Sequence, residues 1–157
     1  MIGRKIGNIS PAYLNRFEDL IKMHSQFGGG KSQDKYISAR SFSNVYEFYL
    51  YAYFLGLKHS RRIEIEEGDD AQRFWELVNW RPKDIADCLI ASAVGESDLD
   101  LTKMEHLEEN EINVEVRKIR HTIEAFANGG FDYIEDFSKE DPDAVNDDRF
   151  FMNLLGS

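Results

Sequence analysis

Three consecutive residues, Gly30, Lys31 and Ser32, are of the types that end a phosphate-binding P-loop. In such a loop, backbone N–H groups cradle the phosphates and the lysine neutralises their charge. The first glycine of that pattern would stand at position 25, which is Ser25. A P-loop also leads from a strand into a helix, whereas here a helical pattern precedes the loop and no clear one follows. We therefore interpret residues 28–32 as a helix end and a linker, and not as an NTPase site.

Histidines and carboxylates, which can bind metals, do not occur at metal-binding spacing. The four histidines, His24, His59, His106 and His121, include no pair at i and i+4. In the acidic stretch 141–148, Val145 occupies the position of a third calcium ligand, and no glycine follows it. The sequence predicts no metal site and no cofactor, and we expect the histidines to be surface or capping residues.

Arg117, Arg120 and His121 are close to the arginine-to-histidine spacing of HEPN-type ribonucleases, which are also small helical bundles. That family places four residues between its arginine and its histidine. In this chain three residues separate Arg117 from His121, and Arg120 adjoins His121. The pattern therefore does not match, and a small helical nuclease is only the third functional hypothesis. No catalytic residue is assigned.

Basic residues flank the most apolar segment of the chain. Arg40 precedes this segment, and Lys58, His59, Arg61 and Arg62 follow it. Cations at both ends of one buried helix could hold a phosphate backbone or dock a protein. Alternatively, they pair with carboxylates of the same chain. These five residues are the candidate contacts with a partner or DNA.

The charge is divided unequally along the chain. Residues 1–63 carry ten Lys and Arg against four Asp and Glu, whereas residues 64–157 carry nine against twenty-five, and the net charge is −10. Such a division is typical of a protein that meets a charged partner with one surface. Acidic clusters at 64–70 and 141–148 are interpreted as solvated or docking surfaces.

Apolar residues recur at helical spacing over most of the chain, and this predicts a mainly α fold of about six to eight helices. The segment 45–55 is so apolar that its helix should be central, with tyrosine hydroxyls reaching partners or water. Alternation of polar and apolar residues predicts one short extended piece at 62–67. The expected helices are 11–27, 45–55, 70–80 in part, 82–94, 99–107, 110–128, 131–137 and 150–155, with Ser43 capping the second and Gly129-Gly130 ending the sixth.

Length and composition predict one domain over residues 1–157, with 1–9 and 138–149 loosely ordered. Cys88, the single cysteine, excludes an intramolecular disulfide, and its apolar neighbours suggest that it lies in the core. No stretch reaches the roughly 20 apolar residues that span a bilayer. We expect a cytoplasmic protein that does not contact the membrane.

Three segments resemble the small Dnd system-associated proteins, which are encoded beside bacterial DNA phosphorothioation genes. They are Phe54-Leu55-Gly56-Leu57-Lys58 with Arg61-Arg62, the helix Asp84–Ala91, and Ile123–Ile134 with its Ala-Asn-Gly-Gly motif. The match covers about residues 42–137, and Leu57 stands where the family has an aromatic residue. The resemblance implies an accessory role in DNA modification or restriction-type phage defence, and it supplies no catalytic residues.

The leading hypothesis is therefore a non-enzymatic accessory protein of a DNA-modification-linked phage-defence system. Its partners would be protein subunits of a modification or restriction complex, with possible contact to DNA. The alternative is a DNA-binding regulator or sensor that uses the basic residues of the N-terminal portion.

Overall fold

The computed structural model describes residues 2–25, 42–147 and 149–156. Over these residues the fold is mainly helical, as predicted, and a two-stranded antiparallel sheet accompanies six α-helices. The helices are α1 (Ile2–Gly7), α2 (Glu18–His24), α3 (Val45–Lys58), α4 (Lys83–Glu96), α5 (Glu109–Glu140) and α6 (Phe150–Gly156), and the strands are β1 (Ala12–Leu14) and β2 (Ala71–Arg73).

Helix α3 is central, which confirms the prediction. It begins after Asn44, whose side chain accepts a hydrogen bond from the N–H of Glu47 at 2.9 Å, so the cap is Asn44 and not Ser43. Tyr49 and Tyr53 are fully buried. Their hydroxyls bond to the Ala12 carbonyl at 2.8 Å and to the Ser92 hydroxyl at 3.0 Å. The tyrosines therefore bury apolar rings without leaving their polar ends unsatisfied.

Helix α5 is one continuous helix of 32 residues, so the predicted stop at Gly129-Gly130 is wrong. Both glycines lie in the interior of the helix and are buried. They allow close packing: a Cβ atom at position 130 would overlap the carbonyl of Ala52, and one at Gly56 would overlap the carbonyl of Phe126. Gly130 of the Ala-Asn-Gly-Gly motif is thus part of the contact between α3 and α5, and the motif is not a helix terminus.

The start of the predicted first helix is a strand. Residues 12–14 form β1, which pairs antiparallel with β2 in the register Ala12↔Arg73 and Leu14↔Ala71. A 3₁₀ turn at Asn15–Phe17 then leads into α2. The predicted extended piece at 62–67 is not a strand, and the second strand follows it at 71–73.

The remaining segments occur in the predicted order, but some differ from the prediction in secondary structure or in where they end. Pro82 immediately precedes α4, residues 101–106 form a 3₁₀ helix, and α6 lies where the last helix was expected. Residues 138–140 continue α5, and 142–146 form another 3₁₀ turn. Among the described residues, no helix is long and apolar enough to cross a membrane.

Two predictions of burial are wrong. Cys88 is exposed on α4 and not in the core, because the buried face of that helix is formed by Ile85, Ala86 and Leu89. His24 is buried and not on the surface, with its ring edge-on to Phe151 at 4.9 Å between centroids. Burial lowers the pKa of His24, so the neutral imidazole is favoured there.

Candidate functional site: a basic groove on α5

Cations from two parts of the chain line a cavity of about 600 Å³ between α5, the end of α4 and the segment that follows α3. We call it the basic groove and define it by Arg62, Arg117, Lys118, Arg120 and His121. This volume falls in the range of small-molecule sites, which is roughly 300–1,000 Å³.

Helical periodicity places the groove residues of α5 on one side. Positions 117, 120 and 121 are separated by three and four residues and therefore share a face of the helix. Ile119 and Ile123 are fully buried on the other side, where they anchor α5 in the core. The core contacts of α5 thus fix the direction in which its cations point.

Arg62 reaches the groove because the segment after α3 runs directly along α5. The N–H of Ile63 donates to the carbonyl of Ala125 at 3.0 Å. Gly129 permits this approach, since a Cβ atom there would overlap the carbonyl of Arg61. The Arg62 guanidinium then lies 4.8 Å from the centre of the Phe126 ring, in cation–π geometry.

The groove cations differ in how far they are neutralised. Arg117 makes no ion pair with a described residue, whereas Lys118 pairs with Glu115 at 3.2 Å. Arg120 lies 3.9 Å from a carboxylate oxygen of Glu124, which is outside hydrogen-bond range. Lys118 and Arg120 therefore keep part of their hydrogen-bonding capacity for a ligand.

His121 and Arg62 share one carboxylate. One carboxylate oxygen of Glu64 forms an ion pair with Arg62 at 3.2 Å, and the other oxygen contacts Nε2 of His121. Both groups remain accessible, with 52% of the His121 side chain and 37% of the Glu64 side chain exposed. Glu64 thus connects the segment after α3 to α5 beside the groove.

Behind the groove, Glu124 holds strand β1 against α5. It is buried, and its Oε2 accepts a hydrogen bond of 2.7 Å from the N–H of Ala12. Burial raises the pKa of Glu124 above its ordinary value, although the Ala12 N–H and the charge of Arg120 act in the opposite direction. One turn later, the fully buried Asn128 accepts a hydrogen bond from the N–H of Leu14 at 2.8 Å.

The five predicted contact residues do not lie together in the structure. Arg62 lines the basic groove, but Arg61 points away and pairs with Asp132 and Asp136 of α5. The ring of His59 stacks on Tyr133 at 4.1 Å between centroids. Lys58 is exposed, and Arg40 lies outside the described residues. The expectation that some of these cations pair within the chain is therefore confirmed for Arg61 and Arg62.

The spacing of Arg117, Arg120 and His121 is visible in the sequence, but their proximity to Arg62 is not. Their helical face was the signal available, since i, i+3 and i+4 positions lie together. The sequence pattern placed Asn128 at a helix terminus and gave Glu124 no role, so the contacts of both residues with β1 were not predicted. Their partners in β1 are more than 110 residues away in the chain, so no local pattern reveals them.

Within the described residues, no three His, Cys, Asp or Glu side chains are arranged to hold a metal ion. The groove instead offers guanidinium and ammonium donors, which suit a phosphate or another anion. No protein-family model, curated protein or solved structure matches the chain, so the resemblance to Dnd system-associated proteins stays a prediction.

Proposed function

We propose that the protein is a non-enzymatic accessory protein of a bacterial DNA-modification-linked defence system, and that it holds a nucleic-acid backbone in the basic groove. The accessory role comes from the sequence resemblance. The observation that supports backbone contact is the convergence of Arg62, Arg117 and Arg120 on one cavity of a chain whose net charge is −10.

The local charge matters more than the net charge for such a contact. Salt screens exposed charges beyond about 8–10 Å, so a phosphate in the groove is affected mainly by nearby side chains. Arginine also binds phosphate through two parallel N–H donors, which gives geometry as well as charge. An acidic protein can thus bind a polyanion at one basic site, and its remaining surface limits non-specific binding.

Charge reversal in the groove tests the proposal. The double variant Arg117→Glu, Lys118→Glu removes two cations of the groove. Both side chains are exposed, so the substitutions should not disturb the packing of the core. Affinity for short DNA, followed by fluorescence anisotropy, should fall at least tenfold at low salt. The slope of log K against log salt should also become less steep, because each lost phosphate contact reduces it by about 0.7–0.9.

The matched control reverses two cations outside the groove, Lys83→Glu with Lys139→Glu. These side chains are 78% and 72% exposed, and the substitution changes the net charge by the same amount. It should leave most of the affinity intact. Equal losses in both double variants would mean that only overall charge matters, and the groove would then not be the binding site.

A protein partner is the second candidate, and exposed apolar side chains next to β2 favour it. Trp75 is 70% exposed and Val78 is 57% exposed. Tryptophan is enriched among the residues that contribute most of the binding energy at protein interfaces. The partner would be a subunit of the modification or restriction complex that the resemblance implies.

Affinity purification from the native host after nuclease treatment tests this candidate. Stoichiometric recovery of such a subunit with the unaltered protein would support a protein partner. The double variant Trp75→Ser, Val78→Ser should no longer recover it. Met152→Ser is the control, because Met152 is 74% exposed and lies on α6. Recovery of the protein alone would remove this candidate.

A further inference from the structure

The basic groove also contains two exposed carboxylates, those of Glu96 and Asp98. Glu96, at the end of α4, and Asp98, two residues later, line the same cavity as Arg62 and Arg117. Neither forms an ion pair or a side-chain hydrogen bond with a described residue, although cations stand across the cavity. The groove is therefore divided into a cationic side on α5 and an acidic end at α4.

A groove with a cationic side and an acidic end suits a ligand that has both anionic hydrogen-bond acceptors and a hydrogen-bond donor. Phosphate oxygens only accept hydrogen bonds, so they match the arginines and are repelled by Glu96 and Asp98. An ionised carboxylate, in contrast, only accepts and needs a donor from the ligand. Ribose supplies such a donor in its 2′-hydroxyl, which distinguishes RNA from DNA.

The size of the cavity matches one nucleotide unit. Its volume of about 600 Å³ is that of a small-molecule site. Nucleotides enter such pockets from single strands or after leaving the base stack. Ser97, Val114 and Thr122 also line the cavity.

We propose that the basic groove binds single-stranded RNA in preference to DNA, with the backbone phosphate on Arg62, Arg117 and Arg120 and the ribose 2′-hydroxyl on Glu96 or Asp98. This proposal depends on the proposed function, since it names the nucleic acid that the same groove takes. It assigns the acidic residues the selection of RNA, through a hydrogen bond that DNA cannot donate.

The test compares three labelled oligonucleotides of one sequence with the unaltered protein: single-stranded RNA, single-stranded DNA and 2′-O-methyl RNA. A hydrogen bond to a charged acceptor corresponds to about a tenfold difference in affinity. RNA should therefore bind about tenfold more tightly than DNA, and 2′-O-methyl RNA should bind no better than DNA because its 2′-oxygen has no hydrogen to donate. The corresponding duplex should bind more weakly than either single strand.

Glu96→Ala with Asp98→Ala then separates selection from simple repulsion. Removing two negative charges should strengthen DNA binding, whereas the preference for RNA should disappear. If the carboxylates act only through their charge, RNA and DNA affinities would rise together and their ratio would persist, and that result would overturn the proposal.

The remaining outcomes distinguish this inference from the proposed function. Equal affinity of the unaltered protein for RNA and DNA, or tighter binding of the duplex, would overturn the selection of RNA while leaving backbone contact in place. Absence of binding to every oligonucleotide at low salt would overturn backbone contact itself, and the inference with it.

Discussion

Gly130 of α5 lies against Ala52 of α3 so closely that a methyl group at position 130 would overlap the Ala52 carbonyl oxygen. The overlap is with backbone, which cannot move aside as the end of a flexible side chain can. A second close approach joins Gly56 to the carbonyl of Phe126. Helices α3 and α5 are therefore held at a separation that only glycine allows.

Gly130→Ala should destabilise the protein by about 3 kcal/mol or more, because the two helices must separate over their main contact. Urea denaturation followed by circular dichroism measures this difference. The helix content of the folded state should change little, since alanine favours helix more than glycine does.

Gly95→Ala is the matched control within α4. A Cβ atom there meets nothing within 4 Å. The same substitution should therefore stabilise the protein by about 0.5–1 kcal/mol through helix propensity alone. Equal effects at positions 95 and 130 would show that the α3–α5 contact does not need glycine.

The same glycines show where local sequence rules reach their limit. Paired glycines after an asparagine are typical of a helix C-terminus, and this pattern predicted a stop at Gly129. A close crossing of two helices needs glycine for a different reason, the absence of a side chain. Only the position of α3 decides between these alternatives, and that position is a tertiary property.

The other elements could be predicted where neighbouring residues in the sequence determine them, and not where distant residues do. The apolar run of α3 predicts a buried helix by composition alone. The apolar residues of α6 predict a helix but not which of them are buried: Phe150, Phe151 and Leu154 are buried, whereas Leu155 is 41% exposed. Strand β1 was not predictable, because residues 12–14 also fit a helical period and their strand partner lies about sixty residues later. The basic groove required Arg62 to be placed beside α5, which again depends on long-range packing.

Glu124 should make stability depend on pH in a defined direction. Its pKa is raised in the folded protein by burial, so the folded state binds this proton more tightly than the unfolded chain does. The contribution to stability is then full below the unfolded glutamate pKa of about 4.3 and is lost as the pH rises through the raised folded value. In Glu124→Gln this titration is absent.

The stability of the unaltered protein relative to Glu124→Gln should therefore decline as the pH increases from about 4 to 7. Denaturant titrations of both proteins at several pH values measure the difference, in which the other ionisable groups cancel. A difference that stays constant over this range would show that Glu124 does not titrate with a raised pKa.

Asn128 should be needed to hold strand β1. Its Nδ2 donates to the carbonyl of Glu124 at 2.7 Å, and its Oδ1 accepts from the N–H of Leu14. Asn128→Ala leaves the Leu14 N–H without this partner in a region with little water, which costs about 1–3 kcal/mol. Hydrogen exchange at the Leu14 N–H should accelerate more than exchange in α3.

Asn110→Ala is the comparison, since Asn110 is exposed in the first turn of α5 and bonds only to the N–H of Glu111 among the described residues. It should change stability by less than about 0.5 kcal/mol. Unchanged exchange at Leu14 in Asn128→Ala would mean that pairing with β2 alone secures the strand.

Arg61 and Arg62 are neighbours in sequence with opposite roles, and charge reversal should separate them. Nε of Arg61 donates to Asp132 at 3.0 Å, and its guanidinium also pairs with Asp136. Arg61→Glu brings a third carboxylate to this pair, so it should destabilise the fold by about 1–2 kcal/mol and leave nucleic-acid affinity almost unchanged.

Arg62→Glu should do the reverse. The Arg62 side chain is 44% exposed and lines the groove, so reversal should cost less stability and should weaken nucleic-acid binding at least tenfold at low salt. Denaturation and anisotropy on the same two variants give both quantities. A stable Arg61→Glu protein that no longer binds would place the contact on the Arg61 side of the segment and would contradict the assignment of the groove, because both substitutions change the net charge equally.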